Sequence, residues 1–92
     1  MSKIIFSIYI AGTVTRNAPA INSFKKICEE ELKQDSFEIQ VFNILNEPQL
    51  AEAHKILAVP TIIRERPTPE KRVIGDTREV QNALKAFTFL ME

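Results

Sequence analysis

The chain has 92 residues, of which 45% are hydrophobic and 26% are charged, so we expect a single domain over residues 1–92 with a modest core. Twelve basic and twelve acidic residues cancel, which excludes the bulk electrostatic attraction that drives binding to nucleic acid or to an anionic membrane. A single cysteine cannot form an internal disulfide, so the composition predicts a cytoplasmic protein. The apolar run at residues 4–11 is too short to span a bilayer and lacks a signal-peptide cleavage pattern.

The N-terminal part of the chain predicts two strands of one sheet. Residues 4–11 are apolar at nearly every position, which is typical of a central strand covered on both faces, and Gly12 ends that strand. Residues 37–45 predict a second strand, with Phe37, Ile39, Val41 and Leu45 on one face and Phe42 and Ile44 on the other. Because a helix joins the two strands, we expect them to pair in parallel through a right-handed crossover.

The connection between these strands predicts the first helix. Residues 13–17 form a polar turn, and Asn17 is the predicted N-cap, with Pro19 in the first helical turn. The apolar face of this helix consists of Ile21, Phe24, Ile27, Cys28 and Leu32.

The segment after the second strand predicts a short amphipathic helix. It begins at Pro48, behind an N-cap at Asn46, because a first helical turn tolerates proline. It ends before Val59, because a residue that precedes a proline is driven towards an extended conformation. Its predicted apolar face consists of Leu50, Ala53, Ile56 and Leu57.

A hairpin follows that helix. The β-branched residues after Pro60 predict a third strand that begins at residue 61 and ends at residue 65 or 66. Two prolines within residues 67–70 cannot join a strand ladder, so this segment is a turn, and residues 71–75 form a short fourth strand. The proline at the entrance to the third strand also raises the question of a cis bond between Val59 and Pro60.

The C-terminal segment predicts a last helix. Asp76 is its N-cap and Glu79 its capping-box partner, and the apolar residues at helical spacing are Val80, Ala83, Leu84, Phe87 and Leu90. Residues 79–91 also fit a strand pattern, which Thr88 and the phenylalanines favour. Ala86 and the cap tilt the prediction slightly towards the helix, because alanine is the better helix former.

The element order is therefore β-α-β-α-β-β-α, an α/β pattern with a proline at the start of the third strand. This is the thioredoxin-like arrangement, with a mixed sheet and the first strand central. Thioredoxin chemistry requires two cysteines where the first strand meets the first helix, since the helix N-terminus lowers a thiol pKa. Residues 12–15 are Gly-Thr-Val-Thr, so no such chemistry is expected.

Five segments of the sequence resemble the KaiB family. They are YIAG at residues 9–12, PQLAE at 48–52, KILA at 55–58, PT at 60–61 and RVIGD at 72–76. The spacing of these segments makes the resemblance specific, and it extends over almost the whole chain.

This resemblance implies a non-enzymatic regulator that binds a KaiC-type ATPase, uses no cofactor and forms a homo-oligomer, a dimer or tetramer. It also implies that the C-terminal half is metamorphic. The thioredoxin-like form then binds KaiC and has a cis Val59–Pro60 bond, while a rearranged form assembles as the tetramer. The helix preference at the C-terminus favours the thioredoxin-like form.

Three basic residues are the candidate partner contacts. Lys55, Lys71 and Arg72 are candidates for a basic contact patch that meets an acidic surface, and the resemblance places family contact residues at Lys55 and Arg72; a merely solvated face is the alternative. Four other residues are assigned structural roles. Gly12 lies in a turn and Pro60 at the entrance to a strand, while Asp76 caps a helix and Tyr9 belongs to the core.

Two further residues have competing interpretations. Cys28 lies on the apolar face of the first helix, where a buried structural thiol is favoured over a redox sensor. His54 is interpreted as a partly exposed surface histidine, because the sequence has no second histidine and no cysteine cluster to complete a metal site. No catalytic, cofactor or metal residue is predicted.

Two other functions remain open from the sequence. One is a thioredoxin-like stress or redox-response protein without CxxC activity, which an accessible Cys28 of low pKa would favour. The other is a stand-alone sensor domain for a histidine kinase, against which the lack of a kinase module in this sequence counts.

Overall fold

A computed structural model of the protein describes residues 3–74. In chain order the elements are β1 (Ile4–Ile10), α1 (Val14–Glu31), β2 (Phe37–Asn43), α2 (Pro48–Ala53), β3 (Thr61–Arg66) and β4 (Lys71–Ile74). This is the predicted order up to the fourth strand. The predicted last helix, with its cap at Asp76 and Glu79, lies outside the described residues, as does the choice between helix and strand for residues 79–91.

The four strands form one mixed sheet in the order β2-β1-β3-β4. Strand β1 pairs in parallel with β2 and antiparallel with β3, so that Ile8 lies between Val41 and Ile62. Strands β3 and β4 form the antiparallel hairpin. The mixed sheet with an interior first strand is therefore confirmed.

Each face of β1 belongs to a different hydrophobic cluster. Odd and even residues of a strand point to opposite faces. On the face covered by α1, Phe6 meets Phe24 edge-on at a centroid distance of 5.1 Å, within a buried cluster of Phe6, Ile8, Ile10, Ile21, Phe24, Cys28 and Ile62. On the other face, which we call the α2 face, a smaller cluster contains Tyr9, Ile56 and Ile63. The prediction that β1 is covered on both faces is confirmed.

The start of α1 differs from the sequence prediction. The helix begins at Val14, and its N-cap is Thr13, whose Oγ1 accepts a hydrogen bond of 3.1 Å from the Arg16 amide. The predicted cap, Asn17, lies within the helix, and so does Pro19. Threonine caps nearly as well as asparagine, and a single proline near the N-terminus removes few helical hydrogen bonds, so the helix starts at the earlier cap.

Strand β2 is shorter than predicted. Its residues Phe37, Ile39 and Val41 pack against the α1 cluster, while Phe42 and Ile44 pack on the α2 face, as the alternation predicts. Leu45 does not share the buried face, because it is 67% exposed. The strand ends at Asn43, whose Oδ1 accepts a hydrogen bond of 3.0 Å from the Leu45 amide and turns the chain away.

Helix α2 is also shorter than predicted. It ends at Ala53, and its N-cap position is occupied by Glu47, without a side-chain capping hydrogen bond, and not by the predicted Asn46. Ile56 is buried as expected, whereas Leu57 is 92% exposed and does not belong to the apolar face. The backbone of Lys55, with a φ of 53°, redirects the chain between the helix and these two residues.

Candidate functional site

The α2 face carries several of the residues that the sequence singles out. Tyr9 is 1% exposed and lies at the centre of this face, stacked on Phe42 at a centroid distance of 5.3 Å. The ring of His54 lies 5.6 Å from the Tyr9 ring at an angle of 41°. Tyr9 is thus a core residue, as predicted, and its ring is next to the polar side chains of this face.

A group of polar side chains surrounds the Tyr9 hydroxyl. We call it the His54 cluster; its members are Ser7, Tyr9, His54, Glu65, Glu70 and Arg72. The Ser7 hydroxyl, fully buried, donates a hydrogen bond to Oε2 of Glu65. Burial raises the pKa of the Tyr9 phenol above its ordinary value, and the charges of Glu65 and Glu70 raise it further. Arg72 and a hydrogen bond with Ser7 act in the opposite direction. The cluster therefore combines two carboxylates, an imidazole and a neutral phenol.

The C-terminus of α2 ends in a Schellman motif. The Ile56 amide donates to the Ala51 carbonyl over 2.8 Å, and the Lys55 amide donates to the Glu52 carbonyl over 3.2 Å. The residue between helix and loop, Lys55, adopts a left-handed conformation with a φ of 53°. Glycine is the usual residue at this position, because a side chain is strained there. Lys55 is therefore the residue that ends the helix in a left-handed conformation, which its sequence context does not reveal.

Arg72 reaches from β4 to the carbonyls that this motif leaves exposed. Its Nη2 donates to the His54 carbonyl over 2.9 Å, and its Nη1 donates to the Lys55 carbonyl over 3.3 Å. Nη2 also pairs with Oε1 of Glu70 at 3.3 Å. A guanidinium at a helix C-terminus satisfies carbonyls that have no intrahelical donor. Arg72 thus connects β4, the β3–β4 turn and α2.

The structure divides the three predicted contact residues. Lys55 and Arg72, which we call the basic pair, lie together at the end of α2. Lys71 lies on the other face of β4, beside Val73, which packs against the α1 cluster, and its strand partner is the buried Arg64. Neighbouring residues of a strand point to opposite faces, so Lys71 does not share the surface of the basic pair, and its role as a partner contact stays a prediction.

The remaining predicted structural residues lie at two turns. Gly12 has a φ of 103°, which favours glycine, and its amide donates to Oδ1 of Asn43 over 3.1 Å. Asn43 thereby ties the end of β2 to the turn before α1, a role that sequence reasoning missed. The Val59–Pro60 bond is cis, as the resemblance implies. Asp76 lies outside the described residues.

The environment of the Cys28 thiol makes it unreactive. Cys28 is fully buried in the α1 cluster, as predicted, and burial raises the pKa of its thiol to about 12. Reactive cysteines have the opposite properties, namely exposure and a lowered pKa. The sequence has no other cysteine, and residues 12–15 carry none. The site therefore offers no group for thiol–disulfide exchange.

Comparison with known protein families identifies the chain. A model of the KaiB domain matches residues 7–88. The chain belongs to the KaiB family. Circadian clock protein KaiB3 from Synechocystis sp. is 34% identical to it over 92 residues, covering 100% of this chain and 89% of the relative. The circadian clock oscillator protein KaiB of Prochlorococcus marinus subsp. pastoris is 36% identical over 88 residues, covering 96% of this chain and 81% of the relative.

Solved structures confirm the fold of this KaiB family member. The N-terminal domain of Synechococcus elongatus SasA matches with a TM-score of 0.78 at 16% identity, over 99% of this chain and 86% of that one. The Drosophila melanogaster thioredoxin Deadhead matches with a TM-score of 0.71 at 15% identity, over 92% of this chain and 81% of that one. At such identities the likeness shows the fold alone, which is thioredoxin-like. Within residues 3–74, neither helix has the length and apolar composition needed to cross a membrane.

Proposed function

We propose that this KaiB family member is a non-enzymatic, cytoplasmic regulator that binds a KaiC-type ATPase and changes its rate of ATP hydrolysis. The family match over residues 7–88 carries this proposal, together with relatives named as circadian clock proteins. The homo-oligomer expected from the family resemblance stays a prediction.

The surface proposed for this binding is the end of α2. Leu57 is 92% exposed and Val59 is 38% exposed, and both lie in the loop that follows Lys55. Exposed apolar side chains beside a positive charge suit an acidic partner surface with an apolar centre. Lys55 makes no ion pair within residues 3–74, whereas Arg72 is paired with Glu70. Lys55 therefore supplies the free charge, and Arg72 holds the loop in place.

The proposal is tested with the purified KaiC-type ATPase of the same organism. Titration calorimetry measures binding, and a phosphate-release assay measures ATP hydrolysis with and without this protein. We expect saturable binding and a changed hydrolysis rate at saturation. If neither binding nor a rate change occurs with the assembled ATPase ring, the proposal is wrong.

The redox alternative is tested separately. An insulin-reduction assay with dithiothreitol should give no turnover above the reagent alone, because the thiol of Cys28 is buried and has a raised pKa. Turnover that disappears in Cys28→Ser would establish the redox function instead. The fold likeness to the SasA domain gives no independent support for a sensor-domain function, since it rests on 16% identity.

A further inference from the structure

Three side chains of the His54 cluster converge from separate parts of the chain. His54 is the C-cap residue of α2, Glu65 lies near the end of β3, and Glu70 lies in the β3–β4 turn. One ligand atom of each, an imidazole nitrogen or a carboxylate oxygen, lies within 4.8 Å of the other two. His54 and Glu65 are half-buried and Glu70 is exposed, so the group opens to solvent on one side.

We propose that His54, Glu65 and Glu70 form a binding site for a divalent transition metal ion of the Zn²⁺ type. One imidazole and two carboxylates are ligands that Zn²⁺ accepts, and a three-residue set leaves a fourth position for water or another ligand. Zn²⁺ binds such ligands at about 2.0–2.2 Å, which brings tetrahedral donors to about 3.4 Å from one another. The ligand atoms therefore have to move closer to one another on binding. The exposed side chain of Glu70 can make this movement, because its turn is at the surface.

The charges of the cluster favour a cation at this place. Glu65 and Glu70 bring two carboxylates within reach of one imidazole, and the described cation in the cluster is Arg72. Counted formally, the two carboxylates and the Arg72 guanidinium together carry one net negative charge. A bound divalent ion would reverse the sign of the local charge.

The residues around the three ligands already hold them in orientation. The buried Ser7 hydroxyl donates to Oε2 of Glu65 and so fixes the position of that carboxylate. The Tyr9 ring packs against the imidazole of His54 and limits its rotation. Arg72 donates to the main-chain carbonyl of His54 and to Oε1 of Glu70. Such outer contacts orient ligands in metal sites.

Binding would cross-link α2 to the β3–β4 hairpin. An ion that binds only the folded arrangement stabilises it, so the melting temperature should rise with the concentration of free metal ion. Cys28 cannot take the place of a ligand, because it lies buried on the other side of the sheet.

The test uses protein without an affinity tag, so that His54 is the single imidazole in the sample. Titration calorimetry with ZnCl₂ should show one equivalent bound, and a long-range ¹H–¹⁵N spectrum should show a shift of one ring nitrogen of His54. MgCl₂ should cause neither change at the same concentrations, because Mg²⁺ prefers oxygen ligands and retains its water.

Ligand variants decide whether the proposed residues are the site. His54→Gln and Glu70→Gln should each weaken Zn²⁺ affinity by about tenfold or more, and each should abolish most of the rise in melting temperature. Glu38→Gln removes an exposed carboxylate on β2, away from the three ligands, and serves as the matched control. Glu70→Gln keeps the test valid if His54→Gln fails to fold, since Glu70 is exposed in a turn. No Zn²⁺ binding by the unaltered protein, or binding unchanged in Glu70→Gln, would overturn the proposal.

Discussion

Lys55 shows how a single residue can combine a strained backbone with an exposed charge. Its left-handed conformation completes the Schellman motif of α2, and its side chain remains exposed in front of Leu57. A non-glycine residue in this conformation is disfavoured by roughly 1–2 kcal/mol. A residue kept there in spite of this cost is a reasonable candidate for a role other than stability.

Replacing Lys55 by glycine should therefore stabilise the protein. The strain of roughly 1–2 kcal/mol is relieved, and the greater flexibility of glycine in the unfolded chain offsets roughly 0.5–1 kcal/mol. We expect Lys55→Gly to raise the free energy of unfolding by about 0.5–1 kcal/mol in urea denaturation. Lys26→Gly, in the exposed interior of α1, is the matched control and should lower it by about 1 kcal/mol. Equal losses in both variants would show that Lys55 is not strained.

Two buried acids predict how stability depends on pH. Burial raises the pKa of the Cys28 thiol from 9.0 to about 12, and it raises the pKa of the Tyr9 phenol above 10.0. Above these ordinary values the unfolded chain loses a proton that the folded chain keeps, so the free energy of unfolding falls as pH rises. Each group adds a slope of up to about 1.4 kcal/mol per pH unit.

The measurement is urea denaturation between pH 8 and pH 11, with Cys28→Ala and Tyr9→Phe as comparisons. In each variant the free energy of unfolding should fall less steeply with rising pH, because the contribution of the replaced group is gone. This holds even where the variant is less stable at every pH. A slope that is the same in all three proteins would mean that neither group is shifted.

At the scale of elements, α2 depends on its surroundings. A helix of six residues is too short to be stable alone, so its stability must come from packing and from groups at its ends. Leu50, Ala51 and Ile56 pack beside Tyr9 and Ile63, and Arg72 binds the carbonyls at the C-terminus.

Removing the guanidinium of Arg72 should therefore loosen α2. We expect Arg72→Gln to lower the free energy of unfolding by about 1–2 kcal/mol, because charge-assisted hydrogen bonds to two carbonyls are lost. Hydrogen exchange of the Ile56 amide, which donates to Ala51, should also accelerate. Arg66→Gln, at the exposed end of β3, is the control and should change neither quantity. An unchanged exchange rate of the Ile56 amide in Arg72→Gln would contradict the claim that Arg72 stabilises the end of α2.

The elements also show what the sequence could predict. Strand alternation correctly placed Phe42 and Ile44 opposite Ile39 and Val41, because the period of two is local. The same rule places Lys71 and Arg72 on opposite faces of β4, although they are neighbours in the sequence. The end of β2 was missed because the Asn43 side chain, not hydrophobicity, terminates the strand.

The candidate site was harder to predict because it is made by tertiary contacts. His54, Glu65 and Glu70 have no motif spacing, and they meet only when the hairpin lies beside α2. The start of α1 was misplaced because two capping residues, Thr13 and Asn17, precede the same apolar pattern. The left-handed conformation of Lys55 leaves no signal in the sequence, since glycine is its usual mark.

At the scale of the whole molecule, an even charge balance conceals a local asymmetry. The 92 residues carry no net charge, yet the end of α2 presents Lys55 beside exposed Leu57 and Val59. An exposed charge at the edge of an interface chiefly affects the rate of association, and salt weakens that effect. Arg72 is unsuitable for a charge-reversal test, because it also holds α2 in place.

The most direct test of the proposed function is the association rate with the KaiC-type ATPase, measured by stopped flow at low and at physiological salt. Lys55→Glu should slow association more than it speeds dissociation, and the difference from the unaltered protein should shrink as salt increases. Lys26→Glu, which makes the same charge change on exposed α1, should associate like the unaltered protein. Equal association rates for Lys55→Glu and Lys26→Glu at low salt would contradict the proposal that the partner binds at the end of α2.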